Sequence, residues 1–345
     1  MSKKVAIIGS GNWGSAIAKI IGMNVAKNTT VFDQKAKMWV YEEMIDGQKL
    51  TEIINTKHEN VKYLPGIKLP ENIVAVPELD DVVSDADLLV FVLPHQFLPR
   101  LLNGIKDKIK KDAVAIHLIK GVFFIDGEMV PISSRIKDVL GIECCTLMGA
   151  NVANEVAREE FCETTIGYET QEAGEVFFKL FNTKFFEVTI IQDVTGPEIC
   201  GALKNIVAIG SGFCDGLGYG GNTKAAIMRI GLKEMRGFAM MYSKTVVEST
   251  FLESCGVGDL ITTCIGGRNR KCGAYFAKTG KAWEVIEKEL LNGQKIQGVP
   301  CAKEIYEILS TKNLLAKFPL FHTIHRICVG ELEPKEIINY KSVNN

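Results

Sequence analysis

The sequence predicts an α/β protein, with an N-terminal doubly wound parallel sheet over residues 1–192 followed by an all-α C-terminal domain over residues 193–345. Three observations predict it. Short, β-branched apolar runs alternate with amphipathic segments through the first half, a G-x-G-x-x-G turn directly follows the first run, and the strand signal fades after about Gln192. A chain of 345 residues also exceeds what one ordinary core supports and divides into about two domains.

The runs are residues 5–8, 37–41, 73–76, 88–93, 113–119 and 145–148. Continuous apolar runs of this length fit strands covered on both faces, as in a parallel sheet. Helix-forming segments at 15–24, 96–109 and 132–140 lie between them, and two further runs, 163–167 and 185–190, can extend the sheet. Thr195-Gly196-Pro197-Glu198 reads as a helix start, with Thr195 as cap, Pro197 in the first turn and Glu198 completing a capping box. Residues 199–212 are apolar all round except for Lys204 and Asn205, which predicts a helix in the middle of its domain. Further helices are expected at 224–249, 282–292, 302–310 and 321–329.

Composition narrows the partners. Charged residues make up 23% of the chain and the formal net charge is -1, so no field of one sign is available to hold nucleic acid or a membrane surface. No apolar run approaches the roughly 20 residues that cross a bilayer. Strand patterning begins at Val5, so no signal or transit peptide is expected and a cytoplasmic location is the default. The C-terminal Lys341-Ser342-Val343-Asn344-Asn345 is not a peroxisomal address. The 10 cysteines form no C-x-x-C pair and lie in apolar stretches, so free buried thiols are expected. His322 and His325 can share a helix face but have no third ligand nearby in sequence, and no metal is expected.

The turn after the first strand is Gly9-Ser10-Gly11-Asn12-Trp13-Gly14. Gly9 permits the tight turn, Gly11 lets backbone approach a pyrophosphate, and Gly14 lets helix and strand pack closely. The helix N-terminus offers free N–H groups and a positive dipole to the phosphates. This predicts a dinucleotide cofactor. An acidic ribose partner is expected about 20 residues on, and two readings compete: Asp33, or a second strand over 37–41 that ends at Glu42 and Glu43. No arginine follows the second strand to receive a 2′-phosphate, which favours NAD.

Ligands of an open parallel sheet bind outside the carboxyl ends of its strands. Three such ends carry polar residues: Pro94-His95-Gln96-Phe97, Lys120-Gly121 and Gly149-Ala150-Asn151-Val152. Each alone is also an ordinary turn. Lys204 is the leading candidate for chemistry, because its helix neighbours Cys200, Gly201, Ala208 and Ser211 give no charge partner. Desolvation is then expected to lower its pKa towards neutrality, although a lysine snorkelling from a half-buried helix would fit the same pattern. Asp259 and Thr263 lie four apart on one face of a helix that starts after Gly258. Gly266-Gly267-Arg268-Asn269-Arg270 sets a bidentate donor on a glycine turn, which suits a phosphate and also a solvated basic loop.

The motifs GSGNWGSAIAK, PHQF, LIKG, MGAN, CGALKN, GVGDLITTC and GGRNRK resemble those of the NAD-dependent glycerol-3-phosphate dehydrogenases, particularly the eukaryotic cytosolic type. The similarity extends to residues 50–64 and 289–297. It implies a Rossmann-like domain and a helical domain, with Lys204 as general acid in the interconversion of dihydroxyacetone phosphate and sn-glycerol 3-phosphate, a step between glycolysis and glycerolipid synthesis. It assigns Lys120, Asn205, Asp259, Thr263, Arg268 and Asn269 to the substrate, and Asn151 at its strand end is a further substrate-binding candidate. For the cofactor NAD it points to Gly9, Ser10, Gly11, Asn12, Trp13, Gly14, Tyr41, Phe97, Ala153, Arg268, Lys295 and Gln297. Tyr41 stands where a phenylalanine is expected, so stacking or a backbone contact is implied there. The resemblance also implies a homodimer, and closure around substrate is expected to use residues 295–300. Two rivals are a related two-domain dehydrogenase with a His–Glu pair, for which the helix of Lys204 has no histidine, and a non-catalytic NAD sensor, which has no reason to bury Lys204 beside Asn205.

Overall fold

The structure, a computed structural model, describes residues 2–342, so the last three residues of the C-terminal pentapeptide lie outside it. The chain forms two compact units, Met1–Gly121 with Pro131–Val194, and Val122–Val130 with Thr195–Asn345.

The first unit is built on an 8-stranded sheet. Its strands are β1 (Lys3–Ile8), β2 (Phe32–Trp39), β3 (Ile73–Val76), β4 (Leu88–Phe91), β5 (Val114–His117), β6 (Cys144–Met148), β7 (Cys162–Gly167) and β8 (Phe186–Ile191). They lie in the order β8-β7-β6-β5-β4-β1-β2-β3. All neighbours pair in parallel except β6 and β7, which are antiparallel. This is the doubly wound, Rossmann-like sheet the alternating runs predict, and the chain reverses its direction of travel across the sheet at β1. Every residue of β4 and of β6 is buried, as strands covered on both faces require.

Two differences from the sequence expectation matter for the site. Strand β2 begins at Phe32 and ends at Trp39, because Lys3 of β1 pairs with Phe32 and draws the polar Asp33, Gln34 and Lys35 into the strand. The helix after the glycine turn begins at Asn12, ahead of its apolar periodicity, and runs to Lys27.

In the second unit the helix Thr195–Gly216 is the core element, and every residue from Gly196 to Cys214 is buried. Helices Gly221–Tyr242, Asp259–Gly266, Arg268–Thr279, Trp283–Leu291, Gly298–Thr311 and Pro319–Cys328 follow. The helix expected over 224–249 stops at Tyr242, where Ser243 turns extended. The hairpin of Phe123–Ile125 and Glu128–Val130, which carries no strong sequence signal, belongs to this unit rather than to the sheet. The Tyr242 hydroxyl donates to the Met129 carbonyl, and Lys312 pairs with Glu128 at 3.1 Å.

Close helix contact sets the geometry of this unit. A Cβ added to Gly212 would lie 2.3 Å from the Arg270 carbonyl, and one added to Gly273 would lie 2.5 Å from that of Ile209. Only glycines allow helix Arg268–Thr279 to lie this near the core helix, and that approach carries Arg268 and Asn269 to the level of Lys204 and Asn205. No helix of the described residues is long and apolar enough to cross a membrane. The 10 cysteines are free, and 9 of them are buried.

Candidate active site

In the first unit the glycine turn has the form a pyrophosphate needs. Gly9 has φ 128°, and a Cβ there would sit 2.4 Å from the Val92 carbonyl, while one on Gly14 would sit 2.4 Å from the carbonyl of Gly9. These two glycines press helix and strand together. Gly11 is different, with nothing within 4 Å of where its Cβ would be. Its open side is the space a dinucleotide backbone requires, and the helix start beside it has no side-chain cap to compete for its first-turn N–H groups. The residues therefore fit NAD. The Asn12 side chain is committed to the scaffold, donating to the Tyr63 carbonyl and to Asn154 Oδ1, each at 2.8 Å. The Trp13 ring packs against Phe186.

The two candidate ribose partners lie at different ends of β2. Asp33 lies in the opening residues of β2, at the end of the sheet opposite the ligand crevice, and its carboxylate accepts from the Lys35 N–H at 3.0 Å. The segment past the carboxyl end of β2 presents Tyr41, which is 72% exposed. Glu42 accepts from the Thr51 hydroxyl at 2.6 Å and from the Thr51 N–H at 3.3 Å in the first turn of helix Leu50–Lys57, and Glu43 accepts from the Tyr63 hydroxyl at 2.7 Å and pairs with Lys62. The lysine and the hydroxyl hold the Glu43 carboxyl below the usual range. Phe97, also exposed, sits on the turn after β4, and Ala153 opens the helix Ala153–Ala157 after β6.

The other strand ends also meet. Lys120, past β5, donates to the Gly149 carbonyl past β6 at 3.1 Å. The Asn151 amide turns towards β7, donating to the Glu163 carbonyl at 3.0 Å, so its side chain braces the strand end.

In the second unit, Lys204 reaches from the core helix to helix Asp259–Gly266. It forms an ion pair with Asp259 and donates to Thr263 Oγ1 at 2.9 Å, and the Thr263 hydroxyl lies 3.4 Å from Asp259 Oδ1. The helix neighbours of Lys204 give it no charge partner, as its sequence suggests, but Asp259 does. The carboxylate comes from a separate helix that packs against the core helix. One turn of wider π-type winding, Ser254–Gly258, precedes Asp259 and sets its angle of entry.

Beside this triad, Asn269 Nδ2 donates to Asn205 Oδ1 and its Oδ1 accepts from the Gly298 N–H, both at 2.9 Å. The Asn269 amide thus joins three helices, and its place in the first turn of Arg268–Thr279 leaves a helix start facing outward. Arg268 at that start is exposed and donates to Gln294 Oε1 at 2.7 Å. Lys295 pairs with Glu287 at 2.7 Å, and Glu287 also accepts from the Ile296 N–H at 3.0 Å. Gln297 is exposed immediately before helix Gly298–Thr311. The stretch expected to be a closing loop over 295–300 is therefore anchored at Ile296 and Gly298, and its second half is helix.

Sequence reasoning missed Glu287, Gln294, Asn60 and Ser15. Each acts on backbone or side chains beyond the reach of helical or strand spacing, so no periodicity marks it.

Residues 4–174 match the description NAD-dependent glycerol-3-phosphate dehydrogenase N-terminus, and residues 193–339 match the corresponding C-terminus. The chain is 57% identical over 328 residues to cytoplasmic glycerol-3-phosphate dehydrogenase (NAD+) of Homo sapiens, spanning 95% of this chain and 94% of that protein. It is 56% identical over 337 residues to the glycerol-3-phosphate dehydrogenase 1-like protein of Xenopus tropicalis, with 97% and 96% covered. A glycerol-3-phosphate dehydrogenase structure from Saccharomyces cerevisiae superposes with a TM-score of 0.96 at 45% identity, covering 99% of this chain and 100% of that one. With matching descriptions across both units and a shared fold over nearly its whole length, the chain belongs to the NAD-dependent glycerol-3-phosphate dehydrogenase family.

Proposed function

We propose that this protein is a cytoplasmic NAD-dependent sn-glycerol-3-phosphate dehydrogenase that reversibly reduces the ketone of dihydroxyacetone phosphate. The observation that carries it is the buried Lys204–Asp259 pair with Thr263 beside it, in a chain of this family, next to an exposed helix start with Arg268. NAD bound at Gly9, Ser10, Gly11, Asn12, Trp13 and Gly14, with Tyr41, Phe97 and Ala153, would supply the hydride that converts the carbonyl carbon to an alcohol carbon.

The protein's own residues supply the rest. As negative charge develops on the ketone oxygen, the Lys204 ammonium donates its proton there, and in the reverse direction neutral Lys204 accepts the hydroxyl proton. Asp259 pairs with the ammonium and holds it in place, and Thr263 fixes its direction by holding the nitrogen from one side. Asn205 contributes an amide next to the lysine, oriented by Asn269. Arg268 presents a planar double donor suited to a phosphate, reinforced by the N–H groups of the helix start, and Gln294 holds the guanidinium. Lys120 and Asn151 on the first unit are further substrate-binding candidates, as are Lys295 and Gln297 for the cofactor.

The test is loss of NADH absorbance on adding dihydroxyacetone phosphate, with unphosphorylated dihydroxyacetone and NADPH as controls. Turnover that needs the phosphate and prefers NADH supports the assignment. A folded, NADH-binding protein without turnover contradicts it and favours the non-catalytic sensor. A homodimer belongs to the same proposal, and light scattering on the eluting protein tests it.

A further inference from the structure

The segment Asn60–Tyr63 has no part in the chemistry above, yet it is bonded to both the glycine turn and the segment past β2. Asn60 is fully buried, and its amide nitrogen donates to the Ser10 carbonyl at 2.8 Å and to Ser15 Oγ at 2.9 Å. Ser15, also fully buried, donates its hydroxyl to the same Ser10 carbonyl at 3.2 Å. Asn60 Oδ1 accepts from the Tyr63 N–H at 3.2 Å, the Tyr63 carbonyl accepts from Asn12, and the Tyr63 hydroxyl donates to Glu43.

The Ser10–Gly11 peptide is planar, so a carbonyl held inward by two donors turns the Gly11 N–H outward. Glycine on the far side of that peptide would otherwise let it rotate at little cost. Gly11 itself borders open space, with nothing within 4 Å of its Cβ position.

From this geometry we infer that Asn60, with Ser15, is a positioning pair for the cofactor: it locks the Ser10–Gly11 peptide so that the Gly11 N–H faces the dinucleotide phosphates before they bind. Through Tyr63 the same segment ties the turn to Glu43, and so sets the spacing between the pyrophosphate end of the site and the end past β2. The inference rests on the dinucleotide reading of the turn. Without the lock, the cofactor itself must order the peptide, and that cost falls on affinity rather than on the chemical step.

The test uses the full-length protein with Asn60→Asp, which places a carboxylate oxygen against the Ser10 carbonyl, and Ser15→Ala, which removes one donor and adds no charge. NADH binding is followed by nicotinamide fluorescence, with kcat at saturating NADH and the unfolding midpoint measured alongside. Loss of the buried donors is expected to raise the Kd for NADH roughly tenfold or more in Asn60→Asp and about threefold or more in Ser15→Ala, with kcat kept within about twofold. If Asn60→Asp does not fold, Ser15→Ala decides by the same readings. Folded variants with a lower unfolding midpoint and an unchanged Kd would make the pair purely structural and overturn the inference. Wild-type protein that does not bind NADH would overturn the dinucleotide reading along with it.

Discussion

Lys204 and Asp259 are ion-paired in the interior of the helical unit, their side chains only 5% and 3% exposed. A buried pair of this kind is poor evidence for stability, since the desolvation of both charges offsets much of their attraction. Its worth is positional: it keeps a charged proton donor at one place among apolar helices. Lys204→Ala is therefore expected to lower kcat/KM for dihydroxyacetone phosphate by roughly 10³ or more, the upper range for losing a general acid and its charge. Asp259→Asn leaves the ammonium buried without its carboxylate, and both activity and stability should fall, the latter by about 3 kcal/mol or more. Steady-state kinetics and denaturant unfolding on the same samples check this. A Lys204→Ala enzyme within tenfold of wild type would remove the lysine from the mechanism.

The burial of Lys204 was legible in the sequence because residues 199–212 are apolar on every side, but its partner was not. Asp259 reaches it only because two separate helices pack together, and helical spacing reports neighbours along one helix. The same limit applies to the sheet. Residues 73–76 and the helix 132–140 were readable to the residue, since their apolar patterns fill their whole length. The start of β2 was hidden, because Asp33, Gln34 and Lys35 are strand only through pairing with β1. The glycine turn was legible as chemistry, while the buried amide behind it at Asn60 was not.

Arg268 is exposed, and its guanidinium is held by Gln294. Charge-assisted hydrogen bonds to a phosphate contribute about 1.5–3 kcal/mol each, so Arg268→Ala should lower kcat/KM for dihydroxyacetone phosphate roughly a hundredfold or more. Reduction of unphosphorylated dihydroxyacetone should hardly change. Gln294→Ala keeps the charge and loosens its direction, so a smaller loss is expected. Equal loss on both substrates in Arg268→Ala would show that the residue acts through the cofactor or the fold rather than through the phosphate.

Strand direction makes opposite predictions for two residues near the nucleotide. Asp33 lies in the opening residues of β2 and should be neutral for the cofactor, so Asp33→Asn should leave the KM for NADH within about twofold. Tyr41 is exposed past the carboxyl end, where an aromatic face can stack on the base, so Tyr41→Ala should raise that KM several-fold, by about 1 kcal/mol of lost ring contact. Tyr41→Phe should behave as wild type, because the phenol oxygen has no assigned role. A large effect of Asp33→Asn on NADH alone would mean that the ribose lies elsewhere.

Glu234 offers a pH signature away from the chemistry. Its carboxylate is 6% exposed and accepts from the Leu320 and Phe321 N–H groups at 2.8 and 2.9 Å, capping helix Pro319–Cys328 from a neighbouring helix. Burial pushes its carboxyl up to about 7, while the two N–H groups and Lys233 pull the other way. A carboxyl raised from 4.5 to about 7 on folding holds a proton that the unfolded chain has already lost within that window. Its contribution is thus present at low pH and is lost as pH rises through about 7. Glu234→Gln cannot titrate, so relative to wild type it should look progressively better between pH 5 and pH 8, by up to about 3 kcal/mol. The constant cost of an amide facing two N–H donors cancels in that comparison. Denaturant unfolding of both proteins across the range measures it, and parallel stability curves would show that the helix start keeps Glu234 ionised throughout.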